Sequence, residues 1–146
     1  MFRTVGLTVT FTAPHLLGRV PFRFVTSMCE QIQSPLEWLG GPEEKVLAEK
    51  NLQVLRQLLL GEWMDQSGSI YSLSLSTQSD QRVDVKTQRP TGLLLIKRAL
   101  LVLQADADGV CCRWGNGRFV LAPGADGTIS WRDRQGRDAF IWEKLQ

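Results

Sequence analysis

The chain has 146 residues, 43% of them hydrophobic and 22% charged, a composition that fits one ordinary globular domain and excludes a disordered or fibrous chain. Its net charge of +2 is too small to indicate a nucleic-acid or membrane partner on electrostatic grounds, because such footprints are strongly basic domains or faces. No apolar run approaches the ~20 residues of a membrane-spanning helix. The cysteines, Cys29, Cys111 and Cys112, are odd in number and two are adjacent, so no disulfide framework is expected and a reducing, intracellular compartment is.

Residues 1–29 contain Arg3, Arg19 and Arg23 and no acid, so the positive balance of the chain lies wholly in this segment. Two readings stay open. An acid-free stretch rich in Arg, Ser and Thr has the composition of a mitochondrial or plastid transit peptide. Against this, Val5, Leu7, Val9 and Phe11 alternate with Gly6, Thr8, Thr10 and Thr12, the period of a half-buried strand and not of a presequence helix. Residues 30–146 are expected to form a single domain.

Within that domain, Gly40-Gly41-Pro42 reads as a linker followed by a helix start, with Glu43 and Glu44 at the positive end of the dipole. A helix is expected over 42–60. Leu47, Val54, Leu55, Leu58 and Leu59 fall at helical spacing, Lys45, Glu49, Gln53 and Gln57 fall away from them, and Gly61 supplies the stop.

From 62 to 145 the pattern becomes a β-meander. Turn candidates stand at Ser67-Gly68, Ser79-Asp80, Pro90 to Gly92, Asp108-Gly109, Asn116-Gly117, Asp126-Gly127 and Gln135-Gly136. Between them Tyr71, Leu73 and Leu75 oppose Ser72, Ser74 and Ser76, so one face is buried and the other wet. Leu93 to Leu103 is apolar on both faces. It is read as a strand needing a cover, which the helix at 42–60 would provide, with a second helix as the alternative. Trp63-Met64-Asp65-Gln66-Ser67-Gly68 and Trp131-Arg132-Asp133-Arg134-Gln135-Gly136 share the pattern Trp-x-Asp-x-x-Gly. This predicts two similar hairpins, each with an Asp bonded to turn amides and a Gly at positive φ.

Catalytic chemistry has little to build on. The one histidine, His15, could pair with a cysteine or a carboxylate as a hydrolase would need, but buried cysteines are ordinarily inert core residues. No Cys-x-x-Cys or His-x-x-x-His spacing occurs, so no metal is expected. Asp106-Ala107-Asp108-Gly109 lacks the further acids of a calcium loop. Phosphate-cradling glycine motifs are absent. No catalytic residue and no cofactor are assigned.

Two binding readings follow. Arg113, Trp114 and Arg118, with Trp131, Arg132 and Arg134, combine the side chains that anchor protein interfaces or stack on bases; Asp126, Asp133 and Asp138 dilute the charge and favour a protein partner over nucleic acid, and an ordinary solvated face with its Trp side chains buried stands ahead of both. Separately, Gly61-Glu62-Trp63, placed after a helix and at the first strand, resembles the Gly-x-Trp opening of lipocalin-type ligand barrels. That resemblance implies an interior site for a small apolar ligand, with Trp63, Tyr71 and Trp142 as its candidate lining. The later Thr-Asp-Tyr signature of those barrels has no counterpart, since Tyr71 follows Ile70. The expectation is an α+β, mainly antiparallel fold: a small β-barrel or roll with one covering helix, acting as a non-catalytic binding or assembly module.

Overall fold

A computed structural model describes residues 8–11, 20–23, 41–107 and 109–146. The alternation near the N-terminus forms strand β1, Thr8–Phe11, which pairs antiparallel with β2, Val20–Arg23. His15 and Cys29, and with them the proposed His–Cys pair, lie outside the described residues, as does the rest of the candidate transit segment.

Helix α1 spans Pro42–Leu59, with Pro42 in its first turn beside Glu43 and Glu44. It buries Leu52, Leu55 and Leu59, while Val54 and Leu58 pack partly against the core. Leu47, expected on the buried stripe, is exposed, and so is its neighbour Val46. The first two turns of α1 therefore extend past the surface that the last three turns cover.

Eight strands follow: β3 Gly61–Asp65, β4 Ile70–Leu75, β5 Arg82–Gln88, β6 Leu94–Ala105, β7 Val110–Trp114, β8 Val120–Pro123, β9 Thr128–Arg132 and β10 Asp138–Lys144. Each pairs antiparallel with the next, and β10 returns to β3 through Trp142↔Asp65 and Lys144↔Trp63, closing the barrel. Closure removes the sheet edges except along Leu94 to Lys97 of β6, which has no β7 partner among the described residues. The turns fall at the sites expected from the sequence, all but Ser79-Asp80 bearing a glycine, and the segment from Leu94 to Leu103 is strand, not helix.

Residues opposite one another across a ladder share a face, so the register sorts the side chains. Trp63, Leu73, Val85, Leu101, Leu103, Cys112, Leu121, Ile129, Trp131 and Trp142 turn inward and are buried together with Leu55 and Leu59 of α1. Eight strands make a barrel just wide enough for side chains to fill, and bulky rings occupy this one.

Because successive turns of a meander alternate between the two ends, the barrel has a helix end and a turn end. At the helix end the Trp63 indole donates to the Leu59 carbonyl at 2.8 Å, and Asn51 donates to the Asp106 carbonyl at 2.8 Å. Arg56 bonds the Asp80 carbonyl at 2.9 Å and pairs with its carboxylate. Lys144 donates to the Leu58 carbonyl at 3.1 Å while its ammonium lies 5.3 Å from the Trp63 ring centroid, a cation–π placement. These bonds seat α1 over one opening.

The doubly apolar strand is only half covered. Its second half supplies the buried Leu101, Val102 and Leu103, next to α1 and β7. Over Leu94 to Lys97 it pairs with β5 alone among the described residues, because the ladder to β7 begins at Leu101. The expected helix cover does not reach this half, since α1 sits at the opposite end. At the change-over Ala99 adopts φ 51, the register to β5 shifts between Val83 and Val85, and the Ala99 N–H is taken by the Asp84 carboxylate at 2.7 Å.

Candidate functional site

The two Trp-x-Asp-x-x-Gly hairpins have the same construction at the turn end. Gly68 N–H donates to the Asp65 carbonyl and Asp65 N–H to the Ser69 carbonyl; Gly136 and Asp133 repeat this with Arg137. Gly68 and Gly136 have φ +84 and +77, the left-handed region that a bulge-closed turn requires. The Asp65 carboxylate accepts the Ser67 and Ser69 amides at 2.9 and 3.0 Å, and the Asp133 carboxylate accepts those of Gln135 and Arg137 at 2.9 and 3.0 Å.

Asp65 does more than close its turn. Its second oxygen accepts the Tyr71 hydroxyl at 2.6 Å. Partial burial acts to raise the Asp65 pKa, but the hydroxyls of Ser67 and Tyr71 and the amides of Ser69 and Ser67 outweigh it and hold the carboxyl below its ordinary value. Burial, then the hydrogen bond and charge of Asp65, push the Tyr71 phenol up to about 12. The phenol therefore stays protonated and keeps donating.

A continuous stack of rings runs inward from this point. Tyr71 lies on Trp142 at 4.3 Å between centroids, Trp142 meets Trp131 edge-on at 5.1 Å, and Trp131 meets Trp114 at 6.1 Å. Phe140 lies 5.7 Å from Trp114 and 5.0 Å from Phe119, and the Arg118 guanidinium caps Phe119 at 5.2 Å. Edge-to-face rings at these separations pack favourably. The structure thus brings together the candidate ligand-lining residues: Trp63 is the cross-strand partner of Tyr71, which stacks on Trp142. Within this stack the indole nitrogens of Trp114, Trp131 and Trp142 have no hydrogen-bond partner among the described residues.

The candidate Arg/Trp surface is not one face. Arg113 and Trp114 are adjacent on β7, and Trp131 and Arg132 adjacent on β9, so in each pair the strand alternation sends the Trp inward and the Arg outward. Trp131 is fully buried. Arg113 and Arg132 lie instead on one exterior row, Arg82–Val102–Arg113–Val120–Arg132, ending at Asp138. Desolvation and then the neighbouring Arg82 lower the Arg113 pKa. Arg132 is paired with Asp138 at 3.0 Å, while Arg118 and Arg134 stand on turns.

The next exterior row is not free surface. Cys111, Ala122 and Ser130 are buried although the alternation turns them outward. Cys111 is disulfide-bonded, which corrects the expectation of no disulfide. Cys112, one residue on, is free and fully buried, and burial raises its thiol pKa. A desolvated thiol of this kind is inert at neutral pH.

The accessible feature that sequence reading did not single out as a site is the β5–β6 hairpin. Leu93, Leu94, Leu95 and Ile96 expose 57%, 52%, 38% and 66% of their surface. The signal was visible as a doubly apolar run beside Lys97 and Arg98, but it was read as core needing a helix. The register separates the four residues: Leu94 and Ile96 share the outer side with Gln88 and Lys86, and Leu95 shares the inner side with Thr87. The tip is closed by Arg89 N–H to the Leu93 carbonyl at 2.9 Å and Gly92 N–H to the Arg89 carbonyl at 2.8 Å.

Among the described residues no group of His, Cys, Asp and Glu side chains converges as a metal site, and no helix is long and apolar enough to cross a membrane. Fold and site together define a closed, eight-stranded antiparallel β-barrel with a helix across one end and an apolar hairpin at the other. Comparison of the chain with protein-family models, curated proteins and solved structures finds no match.

Proposed function

We propose that the protein is a non-catalytic binding module that works through the turn end of its barrel, with the β5–β6 hairpin as the contact. One observation carries this reading: four consecutive large apolar residues, Leu93 to Ile96, are exposed at a tip whose turn is closed by two of its own backbone hydrogen bonds. Scattered apolar residues on a surface need no explanation, but a contiguous exposed cluster marks a contact site. Arg89, Arg118 and Arg134, on three turns of the same end, supply a cationic surround. Of the candidate interface residues, Arg118 and Arg134 belong to this rim, Arg113 and Arg132 to the outer wall, and Trp114 and Trp131 to the packed interior that holds the rim in shape.

The test compares the intact chain with a Leu94→Ser/Ile96→Ser variant in native cell extract, following the size of the species each enters. The intact chain should migrate in a larger assembly or sediment with membranes, and the variant should migrate alone with an unchanged melting temperature. Equal behaviour of the two would remove the hairpin from the function.

A second reading, the small apolar-ligand barrel, is favoured by the indole N–H groups of Trp114, Trp131 and Trp142, which lack an acceptor among the described residues, because buried donors are ordinarily paired. An acceptor-bearing apolar ligand would supply one. Saturable, stoichiometric changes in tryptophan fluorescence on adding a fatty acid would support that reading, and a flat titration would dismiss it.

A further inference from the structure

We infer that the hairpin contacts an anionic lipid surface, a step that rests on the surface-binding reading above and names its partner.

The charge of the segment points to this occupant. Residues 85–98 contain Lys86, Arg89, Lys97 and Arg98 and no acid. All four cations are exposed. The flanking acid, Asp84, is engaged with the Ala99 amide at 2.7 Å. On the outer cross-strand row Ile96–Lys86–Ser72–Glu62, the first carboxylate met is that of Glu62, bonded to Ser72 at 3.3 Å. A whole-chain charge near neutrality thus conceals a local cluster, and local clusters are what anionic headgroups sense within a Debye length.

Geometry separates a lipid surface from a protein face. Leu94 and Ile96 lie on one side of the ribbon and Leu95 on the other. A flat protein surface laid on the barrel wall reaches Leu94 and Ile96 alone, whereas a headgroup layer meeting the turn end also reaches Leu95, which stays 38% exposed on the inner side. Nucleic acid would engage the cations but leave the leucines in water. Two of the tip's amides, those of Arg89 and Gly92, are bonded internally, which lowers the cost of bringing its backbone to a lipid surface.

The same cost limits the depth. Leu94 to Lys97 has no ladder on its β7 side among the described residues, and open backbone groups there need water. Entry is therefore shallow, with Leu93 to Ile96 at the headgroup–acyl boundary. Lys86, Lys97 and Arg98 reach back to the phosphates along their aliphatic stems.

Flotation of the purified full-length chain tests this with two vesicle types, phosphatidylcholine alone and an equimolar mixture with phosphatidylserine. The chain should bind the mixture and not the neutral vesicles, and lose binding as salt rises. Leu94→Ser/Ile96→Ser should weaken binding more than tenfold, as expected for withdrawing two apolar side chains from a membrane. Lys86→Gln and Arg98→Gln should each weaken it about fivefold. Melting temperatures show that each variant is folded. Failure to bind the mixed vesicles overturns the inference, and so does binding that the serine variant leaves unchanged. If vesicle binding fails while the serine variant still loses its large assembly in extract, the surface reading survives with a protein or a second copy as occupant. If both fail, both readings fall.

Discussion

The two ends of the barrel solve one problem in opposite ways. At the helix end the turns carry Asp80, Asp106 and Asp126, and bonds made by Asn51, Arg56 and Lys144 join the helix to distant parts of the chain. Stability there is cooperative, since each bond is formed between elements far apart in sequence. At the turn end the hairpins carry Arg89, Arg118 and Arg134, and the turns at Asp65 and Asp133 are closed by their own aspartates within a few residues. An end that is satisfied locally needs no cover, and so it can leave apolar side chains in solvent for a partner. The closed end maintains the fold and the open end is available for recognition.

The largest effect that tests this contrast is at the helix end. Leu55→Ala removes a fully buried side chain of α1 and should cost about 2–5 kcal/mol, read by chemical denaturation as a lower midpoint with the whole barrel unfolding in one transition. If α1 melted alone, the helix end would be no more cooperative than the turn end.

Asp65→Asn gives a smaller effect. It keeps the shape but removes the charge that accepts the Tyr71 hydroxyl and two amides, and with the site partly hydrated the cost should be about 1 kcal/mol. The sign with pH follows from linkage. The folded-state pKa lies below the ordinary carboxyl value, so the contribution is present above that ordinary value and is lost as pH falls through the lower folded pKa. The native protein should lose this increment on acidification below about pH 4, and the Asn variant should show a flatter acid limb in a melting-temperature profile. Smallest of all, Leu94→Ser/Ile96→Ser should change stability by no more than about 0.5 kcal/mol, because both residues are already exposed. A large loss would show that the hairpin belongs to the core.

What could be read from sequence follows the same division. The turns were legible because their chemistry is local: an Asp that bonds the amides two and four residues on, and a Gly at positive φ, need no knowledge of the rest of the chain. Helix α1 was legible from spacing, although Leu52 was missed and Leu47 wrongly placed on the buried stripe, because periodicity gives a face but not how far along it the cover extends. The placement of the candidate binding residues was not legible for a geometric reason. Adjacency of Arg113 with Trp114 suggested a joint face, and on a strand adjacency means opposite faces. The exposure of Leu93 to Ile96 depends on where β7 begins to pair with β6, a long-range register that no local pattern encodes.

The irregularity at Ala99 has a mechanical consequence. It joins a stretch of β6 held on one side to a stretch held on both, so one continuous strand should behave as two elements of different rigidity. Amide hydrogens at 94–98 should exchange through local opening of the hairpin, while those at 101–105 should exchange only with global unfolding. The hairpin could then change shape on meeting its partner while the ring-packed interior beneath it stays rigid.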